Sequence, residues 1–365
     1  MQRNFFLTDL MKTGTHQTYE RFLDSHSLPD QKIDYTGEYY TLHNWDLDSY
    51  DRKFAIIDRS TGRIGQKLLN LRGNEEFTTD LEKRINLLHS QGFKFIMATP
   101  WESLDNINNS SLYPQLDKFK EVDWCYWTAG VSWFWFYMYD KHLNNKFKFT
   151  HDHSGSYWHK KHDFLYLNKQ PRKHRVKLYN KLLKENVLSN SVYTFLGLNP
   201  PVRLKKEFEL PWVDANNYPD SGMDQDITEQ PYIDTVCSIV SETNDNADNN
   251  DIFITEKIWK PIMAQHVFVV HGNHLYLQKL REMGFKTFGS YFDESYDLEN
   301  DTNKKIDKIV SLCKELKTKD WHDLYLQTLS LRQHNYDTFF NYEKMSEQVN
   351  KTIIGFFDYF DSKTV

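Results

Sequence analysis

Residues 251–296 constrain the fold most, because short apolar runs alternate there with amphipathic, helix-like stretches. The run Ile252–Ile254 leads into a helical stretch over 255–265, and a second apolar run, Val267–Val270, follows at once. Apolar runs too short to be helices, joined by helical segments, are typical of buried parallel strands in α/β proteins. The region therefore predicts a layered α/β fold.

The same alternation extends over most of the chain. Strands are predicted at 54–57, 93–98, 123–127, 164–167, 192–195, 236–240, 267–270 and 286–288, and helices at 75–90, 172–185, 255–265 and 274–283, with a mainly helical stretch after Asn303. The first 50 residues show only weak periodicity. A chain of 365 residues is too long for one comfortable core, so two domains are expected.

Composition excludes several classes of protein. Hydrophobic residues make up 39% and aromatic residues 16% of the chain, which favours a packed globular protein over a disordered one. The net charge of -6 gives no general attraction to nucleic acid or to acidic membranes. We expect neither a signal peptide nor a membrane span. Three cysteines without a CxxC pair predict reduced thiols and a cytoplasmic location.

The start of the predicted helix 255–265 carries the first candidate binding residues. Backbone N–H groups and the positive end of the helix dipole attract anions there. Glu256 is placed to accept hydrogen bonds from a ribose, and Lys257 to bind a phosphate. Structural roles remain open, since Thr255 fits a helix N-cap and Lys260 fits an i,i+4 salt-bridge partner of Glu256.

A basic helix start follows the predicted strand 164–167. Arg172 and Arg175 are three residues apart, so they share a helix face, and guanidinium groups suit bidentate binding of phosphate. Cations at a helix start oppose the helix dipole, which favours a bound anion as their partner. Asn168 follows the same strand and is placed to donate to the same ligand. The alternative is a solvated basic helix start without a ligand.

Three segments resemble the donor-binding half of GT-B glycosyltransferases, in particular the fucosyltransferase-like and exostosin-like groups. They are FLYLNKQPRKHR at 164–175, SIVSET at 238–243 and FITEKIWKPI at 253–262. In fucosyltransferases a strand ending in Phe-Glu-Asn-Ser precedes an Ile-Thr-Glu-Lys helix start. Ile-Val-Ser-Glu-Thr and Phe-Ile-Thr-Glu-Lys take these places here. The resemblance covers about residues 163–297, and the departures at 241–243 and 260–261 leave the donor sugar unspecified.

The resemblance implies an α/β fold of the GT-B type, in which two Rossmann-like domains face a cleft. Residues 1–155 would form an N-terminal acceptor-binding domain, and residues 160–345 a domain that binds a nucleotide-sugar donor. Residues 346–365 would form a C-terminal helix that packs back on the N-terminal domain.

The implied function is that of a glycosyltransferase, which moves a sugar from a nucleotide-diphosphate donor to a hydroxyl of a glycan or another acceptor. The resemblance favours a GDP-sugar, with a fucose-like sugar compatible, and inversion at the anomeric carbon. Enzymes of this type usually need no metal or other cofactor, so cationic side chains must stabilise the leaving diphosphate. The predicted donor-binding residues are Asn168, Arg172, Arg175, Glu242, Thr255, Glu256, Lys257 and Lys260.

Inverting transfer also needs a base for the acceptor hydroxyl. Glu102 is the predicted catalytic base, because it follows the strand 93–98 at the end where ligands gather in open α/β sheets. Its neighbour Trp101 would raise its pKa by desolvation. Asp58 occupies an equivalent place after 54–57, and either acid is open to a plain strand-end role.

Other features favour structural roles. Trp259 is predicted to lie in the core, and the acidic block 293–297 is predicted to cap turns. The four histidines between 151 and 162 favour a solvated linker over a metal site, and we expect no bound metal. Glu242 leaves the strand 236–240, where it either reaches the donor sugar or is a solvated loop acid.

Two other functions remain open. A nucleic-acid-binding protein would use the basic residues of 160–175, although the chain as a whole is acidic and these residues form no stripe. A non-catalytic carbohydrate-binding module would use the aromatic segment 124–139, which fits a hydrophobic core better. A steep salt dependence of DNA or RNA binding would favour the first, and a melting shift with GDP or UDP would favour the transferase.

Overall fold

The chain forms two compact units in a computed structural model. One is Met1–Phe136 with Ser346–Val365, and the other is Tyr137–Met345. The predicted domain boundaries at 155, 160 and 345 stay predictions. Of the predicted C-terminal helix 346–365, residues 349–365 lie outside the described residues. The described residues are 3–9, 31–36, 44, 46–58, 75–98, 124–127, 135, 138–139, 142, 160–202, 227, 229–243, 245, 252 and 254–348.

The first unit contains a sheet whose described strands all pair in parallel, in the order β2-β1-β3-β4-β5. The helix α1 connects β3 to β4 and buries Ile85 and Leu88. Its C-terminal end is capped by Gly92, whose φ of +78° lies in the left-handed region that glycine adopts without strain. Its elements are β1 (Arg3–Asp9), β2 (Gln31–Thr36), a 3-10 turn (Leu47–Ser49), β3 (Arg52–Asp58), α1 (Glu75–Ser90), β4 (Lys94–Ala98) and β5 (Trp124–Trp127).

The second unit repeats this order. Its described strands are again all parallel and lie in the order β7-β6-β8-β9. The elements are β6 (His162–Asn168), α2 (Lys173–Lys184), a 3-10 turn (Val187–Asn190), β7 (Ser191–Phe195), α3 (Glu229–Asp234), β8 (Thr235–Ser241), α4 (Glu256–Met263), β9 (Val267–His271), α5 (Tyr276–Glu282), a 3-10 turn (Ser295–Leu298), α6 (Thr302–Leu316), α7 (Trp321–Gln327) and α8 (Leu329–Phe339).

The α/β layering predicted from the sequence is therefore present in both units, and most predicted strands and helices are confirmed. The predicted strand at 286–288 is wrong, since these residues form a loop. Phe288 gives the segment its apolar character, because it is fully buried against Phe268 and Phe292, with ring centroids 4.9 and 5.6 Å apart. A loop that anchors aromatic side chains in the core has the composition of a strand without its pairing.

The core of the second unit explains why its strands read as continuous apolar runs. Every residue of β8 and of β9 is buried, as expected for parallel strands covered on both faces. Trp259 on α4 is fully buried, and its ring lies 5.3 Å from that of Phe285 and 5.7 Å from that of Phe339. The prediction that Trp259 lies in the core is thus confirmed.

The strand order places a topological switch point between β6 and β8. The chain leaves β6 toward β7 on one side and returns to place β8 on the other, so the connections diverge at the carboxyl ends of these two strands. In open α/β sheets, ligands bind in the crevice that opens at such a point. The residues directly at these ends are Asn168 and Glu242.

His266 ties the amino end of β9 to its neighbours in a neutral state. Its Nε2 lies 2.6 Å from the carbonyl oxygen of Tyr232, which can only accept, so Nε2 carries the proton. Its Nδ1 then accepts from Ser238 Oγ at 2.9 Å. Burial holds the pKa of His266 well below its ordinary value.

Among the residues that the structure describes, no helix combines the length and the apolar character needed to cross a membrane.

Replacing Trp259 by alanine is expected to lower the free energy of unfolding by about 3–5 kcal/mol, because it opens a large cavity beside Phe285 and Phe339. Urea denaturation followed by circular dichroism measures the change. Leu326→Ala, at a side chain that is 46% exposed, is the control and should change the free energy by no more than about 0.5 kcal/mol. Equal effects of the two substitutions would contradict the packing described.

His266→Gln is expected to make stability less dependent on pH. The folded-state pKa of His266 is lowered, so below about pH 6.5 the unfolded chain binds a proton that the folded chain does not. Stability therefore falls as pH falls through this range, by at most about 1.4 kcal/mol per pH unit for one histidine. Urea midpoints between about pH 7.5 and 5.5 should show a shallower slope for the variant. An unchanged slope in the variant would contradict the buried, neutral state described for His266.

Candidate functional site

The carboxyl end of β8 is organised around Glu242, whose side chain is completely buried. Its Oε1 accepts hydrogen bonds from Thr255 N at 3.1 Å and Tyr276 Oη at 2.7 Å. Its Oε2 accepts from Thr243 N at 3.1 Å and Thr255 Oγ1 at 2.8 Å. These four donors, all in the described part of the chain, satisfy the carboxylate. Glu242 is therefore a positioning residue for α4 and α5, and its predicted contact with a donor sugar stays a prediction.

The main-chain carbonyl of Glu242 holds α2 in place. It accepts hydrogen bonds from Arg175 Nε at 3.1 Å, from Arg175 Nη2 at 2.9 Å and from His174 Nε2 at 3.0 Å. Arg175 is buried, and burial lowers the pKa of its guanidinium. Two of its N–H groups thus serve the fold, and the predicted role of Arg175 in binding phosphate stays untested.

Arg172 differs from Arg175 because it is exposed at the N-cap of α2. Its Nη1 donates to the carbonyl oxygen of Thr243 at 3.0 Å, which directs the guanidinium toward the carboxyl end of β8. The two arginines of the predicted face are therefore separated by burial, with Arg175 inside and Arg172 at the surface of the site.

The start of α4 brings together four of the predicted residues. Thr255 is the N-cap, as expected, and its Oγ1 accepts from Lys257 N at 3.4 Å. Lys257 Nζ lies 3.1 Å from Thr243 Oγ1, 3.1 Å from Thr255 Oγ1 and 2.6 Å from Glu256 Oε1. Burial acts to raise the pKa of Glu256, but the charges of Lys257 and Lys260 outweigh it and hold that pKa below its ordinary value.

Glu256 and Asn168 carry buried polar atoms without a hydrogen-bond partner among the described residues. These atoms are Glu256 Oε2 and both polar atoms of the Asn168 amide. Both residues are more than nine-tenths buried. A buried polar group left unpaired costs about 1–3 kcal/mol, so such groups at a switch point are candidates for contact with a ligand.

A basic pocket of about 480 Å³ opens beside this crevice. The helices α2 and α6 pack together, and each begins at the pocket, with Lys173 and Thr302 as their first helical residues. Two helix N-termini and several cations favour a bound anion. The lining residues are Arg172, Lys173, His174, Lys177, Thr243, Asp245 and Thr302.

Of the lining residues, only Arg172 is among the predicted donor-binding residues, and sequence reasoning missed the site roles of His174, Lys177, Thr243, Asp245 and Thr302. The spacing of Lys173 and Lys177 was a usable signal, since residues four apart lie on one helix face. Asp245 and Thr302 are 57 residues apart in sequence, and only folding joins them, through a 2.9 Å hydrogen bond from Thr302 Oγ1 to Asp245 Oδ2.

Two histidines flank Asp245. His174 Nδ1 lies 3.3 Å from Asp245 Oδ1, and His271 Nε2 lies 4.0 Å from Oδ2. The two rings meet edge to face, with centroids 5.4 Å apart. Burial lowers the pKa of His174, while the carboxylate of Asp245 acts in the opposite direction. Burial also holds the pKa of His271 well below its ordinary value.

The acidic block 293–297 has the structural role that was predicted for it. Asp293 Oδ1 accepts from Ser295 N at 2.8 Å. Asp297 accepts from the N–H groups of Leu277 and Gln278 at 2.9 and 3.2 Å, which satisfies the first turn of α5.

Several other predictions concern residues outside this region. Glu102, the predicted catalytic base, lies outside the described residues, as do His151, His153 and His159. Asp58 ends β3, and His162 begins β6 with its Nδ1 3.2 Å from Asn190 Oδ1.

Within the described part of the chain, Asp320, His322 and Asp323 form a group compact enough for a metal ion. Asp320 already caps α7 by accepting from His322 N and Asp323 N. Exposed carboxylates with this capping role are adequately explained by the helix start.

Comparisons with known proteins assign the chain to no family. No protein-family model matches it, and no curated protein does. Among solved structures it is similar to a crystal structure of an alpha1,3-fucosyltransferase with GDP-fucose, with 10% sequence identity and a TM-score of 0.42. The alignment covers 90% of this chain and 82% of that chain. A similarity of this size specifies neither residues nor activity.

Glu242→Gln is expected to lower the free energy of unfolding by about 2–4 kcal/mol. An amide has one accepting atom, so two of the four donors would face an NH₂ group and lose their partners. Urea denaturation measures the loss. Glu282→Gln, at a carboxylate that is 53% exposed on α5, is the matched control and should be neutral. A Glu242→Gln protein as stable as its parent would show that the hydrogen bonds described contribute little.

Proposed function

We propose that the chain is a glycosyltransferase, which transfers a sugar from a nucleotide-diphosphate donor to a hydroxyl of a glycan or another acceptor. The observation that carries the proposal is the basic pocket at the switch-point crevice, next to a buried and ionised carboxylate with a spare oxygen. Such a pair of features suits a ligand that joins an anionic group to a polar, uncharged one.

The pocket supplies what a departing diphosphate needs. Arg172, Lys173 and Lys177 line it, and the N-termini of α2 and α6 add their partial positive charge. Groups fixed before the reaction stabilise charge as it develops without reorganising, which is the main source of catalysis in transfers of this kind. We propose that these groups carry the charge of the leaving diphosphate without a metal ion.

Glu256 supplies an acceptor for the ribose of the donor. Its Oε1 is held by Lys257, and its Oε2 is left without a partner among the described residues. A ribose offers two adjacent hydroxyl donors, which match an ionised carboxylate. Thr243 links this position to the pocket, because its hydroxyl contacts Lys257 and its carbonyl accepts from Arg172.

The reaction would proceed by attack of the acceptor hydroxyl on the anomeric carbon of the donor. The bond from that carbon to the diphosphate breaks as the new glycosidic bond forms, and a base takes the hydroxyl proton. Glu102 remains the predicted base. The preference for a GDP-sugar and for inversion rests on the sequence resemblance around 238–262.

The alternative of nucleic-acid binding has less support from the geometry. A single-stranded nucleic acid needs a groove that follows its backbone with aromatic rings for stacking. The cations here instead converge on a pocket of about 480 Å³, and its described lining residues include no aromatic ring other than the imidazole of His174.

Two substitutions should separate the parts of the proposed donor site. Arg172→Ala is expected to weaken the binding of both GDP and inorganic diphosphate at least about tenfold, because it removes a cation from the pocket. Glu256→Gln should weaken the binding of GDP by a similar factor and leave the binding of inorganic diphosphate unchanged, because only GDP carries a ribose. Titration calorimetry measures both ligands, and a thermal-shift panel of nucleoside diphosphates identifies the base.

Lys184→Ala is the matched control, since Lys184 is an exposed cation at the opposite end of α2. It should bind both ligands as the parent does. The proposal fails if no nucleoside diphosphate binds, or if Lys184→Ala weakens binding as much as Arg172→Ala. Tight, salt-sensitive binding of RNA or DNA in place of nucleotides would support the alternative.

A further inference from the structure

Asp245 is an acid inside a basic pocket. It lies among Arg172, Lys173, His174 and Lys177 in the pocket lining, and its carboxylate is only 13% exposed. A carboxylate at this place has the charge and the acceptor oxygens of the anion that the pocket otherwise suits.

The two ring nitrogens of His174 have different partners, Glu242 and Asp245. The Nε2 of His174 faces the carbonyl of Glu242, which can only accept, so Nε2 is protonated. The Nδ1 faces Asp245 Oδ1 at 3.3 Å. This contact becomes an ion pair when Nδ1 also carries a proton, and the carboxylate of Asp245 favours that protonated form against the effect of burial on the pKa of His174. In its protonated form His174 directs an N–H group at an anion in the pocket.

The two partners are anchored unequally. His174 lies on α2 and is buried, with only 8% of its surface exposed. Glu242 contacts it on one side and the His271 ring on another. Asp245 follows β8 and belongs to no helix or strand. Its carboxylate is held by His174 and by Thr302 Oγ1. The donor is therefore rigid, while the acceptor is held through side-chain contacts.

We propose that His174 is an anion-binding residue of the pocket and that Asp245 is its resident counter-anion, which a phosphate group of the ligand replaces at His174 Nδ1. The exchange takes place at the protonated form of His174, so no covalent bond changes. A phosphate group has more charge and more acceptor oxygens than a carboxylate, so it can contact His174, Arg172 and Lys177 together. The inference rests on the proposed function in that it concerns the same diphosphate pocket.

The direction in which one substitution changes the affinity for diphosphate tests the exchange. Asp245→Asn keeps an acceptor for Thr302 but removes the charge that competes with the ligand. Titration calorimetry with inorganic diphosphate, at low salt and about pH 5.5, below the ordinary pKa of histidine, should show binding at least about tenfold tighter than the parent. His174→Gln should bind at least about tenfold more weakly, because it removes the charged donor. Asp307→Asn, which removes an exposed charge on α6 outside the pocket, should stay within about twofold of the parent.

Unchanged or weaker diphosphate binding by Asp245→Asn would overturn the inference, because a ligand-binding or purely structural acid gives that result. Parent-like binding by His174→Gln would also overturn it. Melting temperatures check that the variants are folded. If His174→Gln does not fold, the ratio of the diphosphate affinities of Asp245→Asn and the parent decides alone.

The outcome is separable from that of the proposed function. Tighter inorganic diphosphate binding by Asp245→Asn, with no binding of any nucleotide, would support the exchange and sink the transferase. Nucleotide binding that Asp245→Asn does not improve would sink the exchange alone.

Discussion

The structure of the second unit depends on one buried residue, Glu242. Within the described residues its carboxylate accepts four hydrogen bonds and its carbonyl accepts three. These bonds join the end of β8 to the starts of α2 and α4 and to Tyr276 on α5. These bonds offset the cost of burying the Glu242 carboxylate, so they hold the residues around it in one arrangement. The candidate site inherits its rigidity from this network.

The site is built in two tiers. The inner tier, with Glu242, Arg175 and Thr255, is buried and hydrogen-bonded within the protein. The outer tier, with Arg172, Lys173 and Lys177, faces the pocket. Binding of an anion by fixed charges needs this division, since side chains that contact a ligand hold their geometry only when a second layer supports them. Basic residues that are close in sequence thus have different roles according to their burial.

The sequence predicted the elements whose signal is local. Strands such as β8 and β9 are buried throughout, so their apolar runs stand out, and helix α1 is marked by its spacing and by Gly92. The strands β1 and β2 escaped prediction because the first 50 residues show little periodicity. The loop at 286–288 was mistaken for a strand because buried aromatic anchors and strand residues have the same composition. In each case pairing, which is not local, decided the outcome.

The sequence by itself determined the α/β layering, the helix start at Thr255 and the presence of cations after β6, because these follow from hydrophobic pattern and residue type. Only the tertiary structure decided which cation faces the pocket. Arg172 and Arg175 share a helix face, yet the packing of α2 on β8 buries one and exposes the other. The packing of α2 against α6 also brings His174 and Thr302 together with Asp245, which follows β8. Contacts between distant segments have no periodic signature, so no reading of the sequence alone contains them.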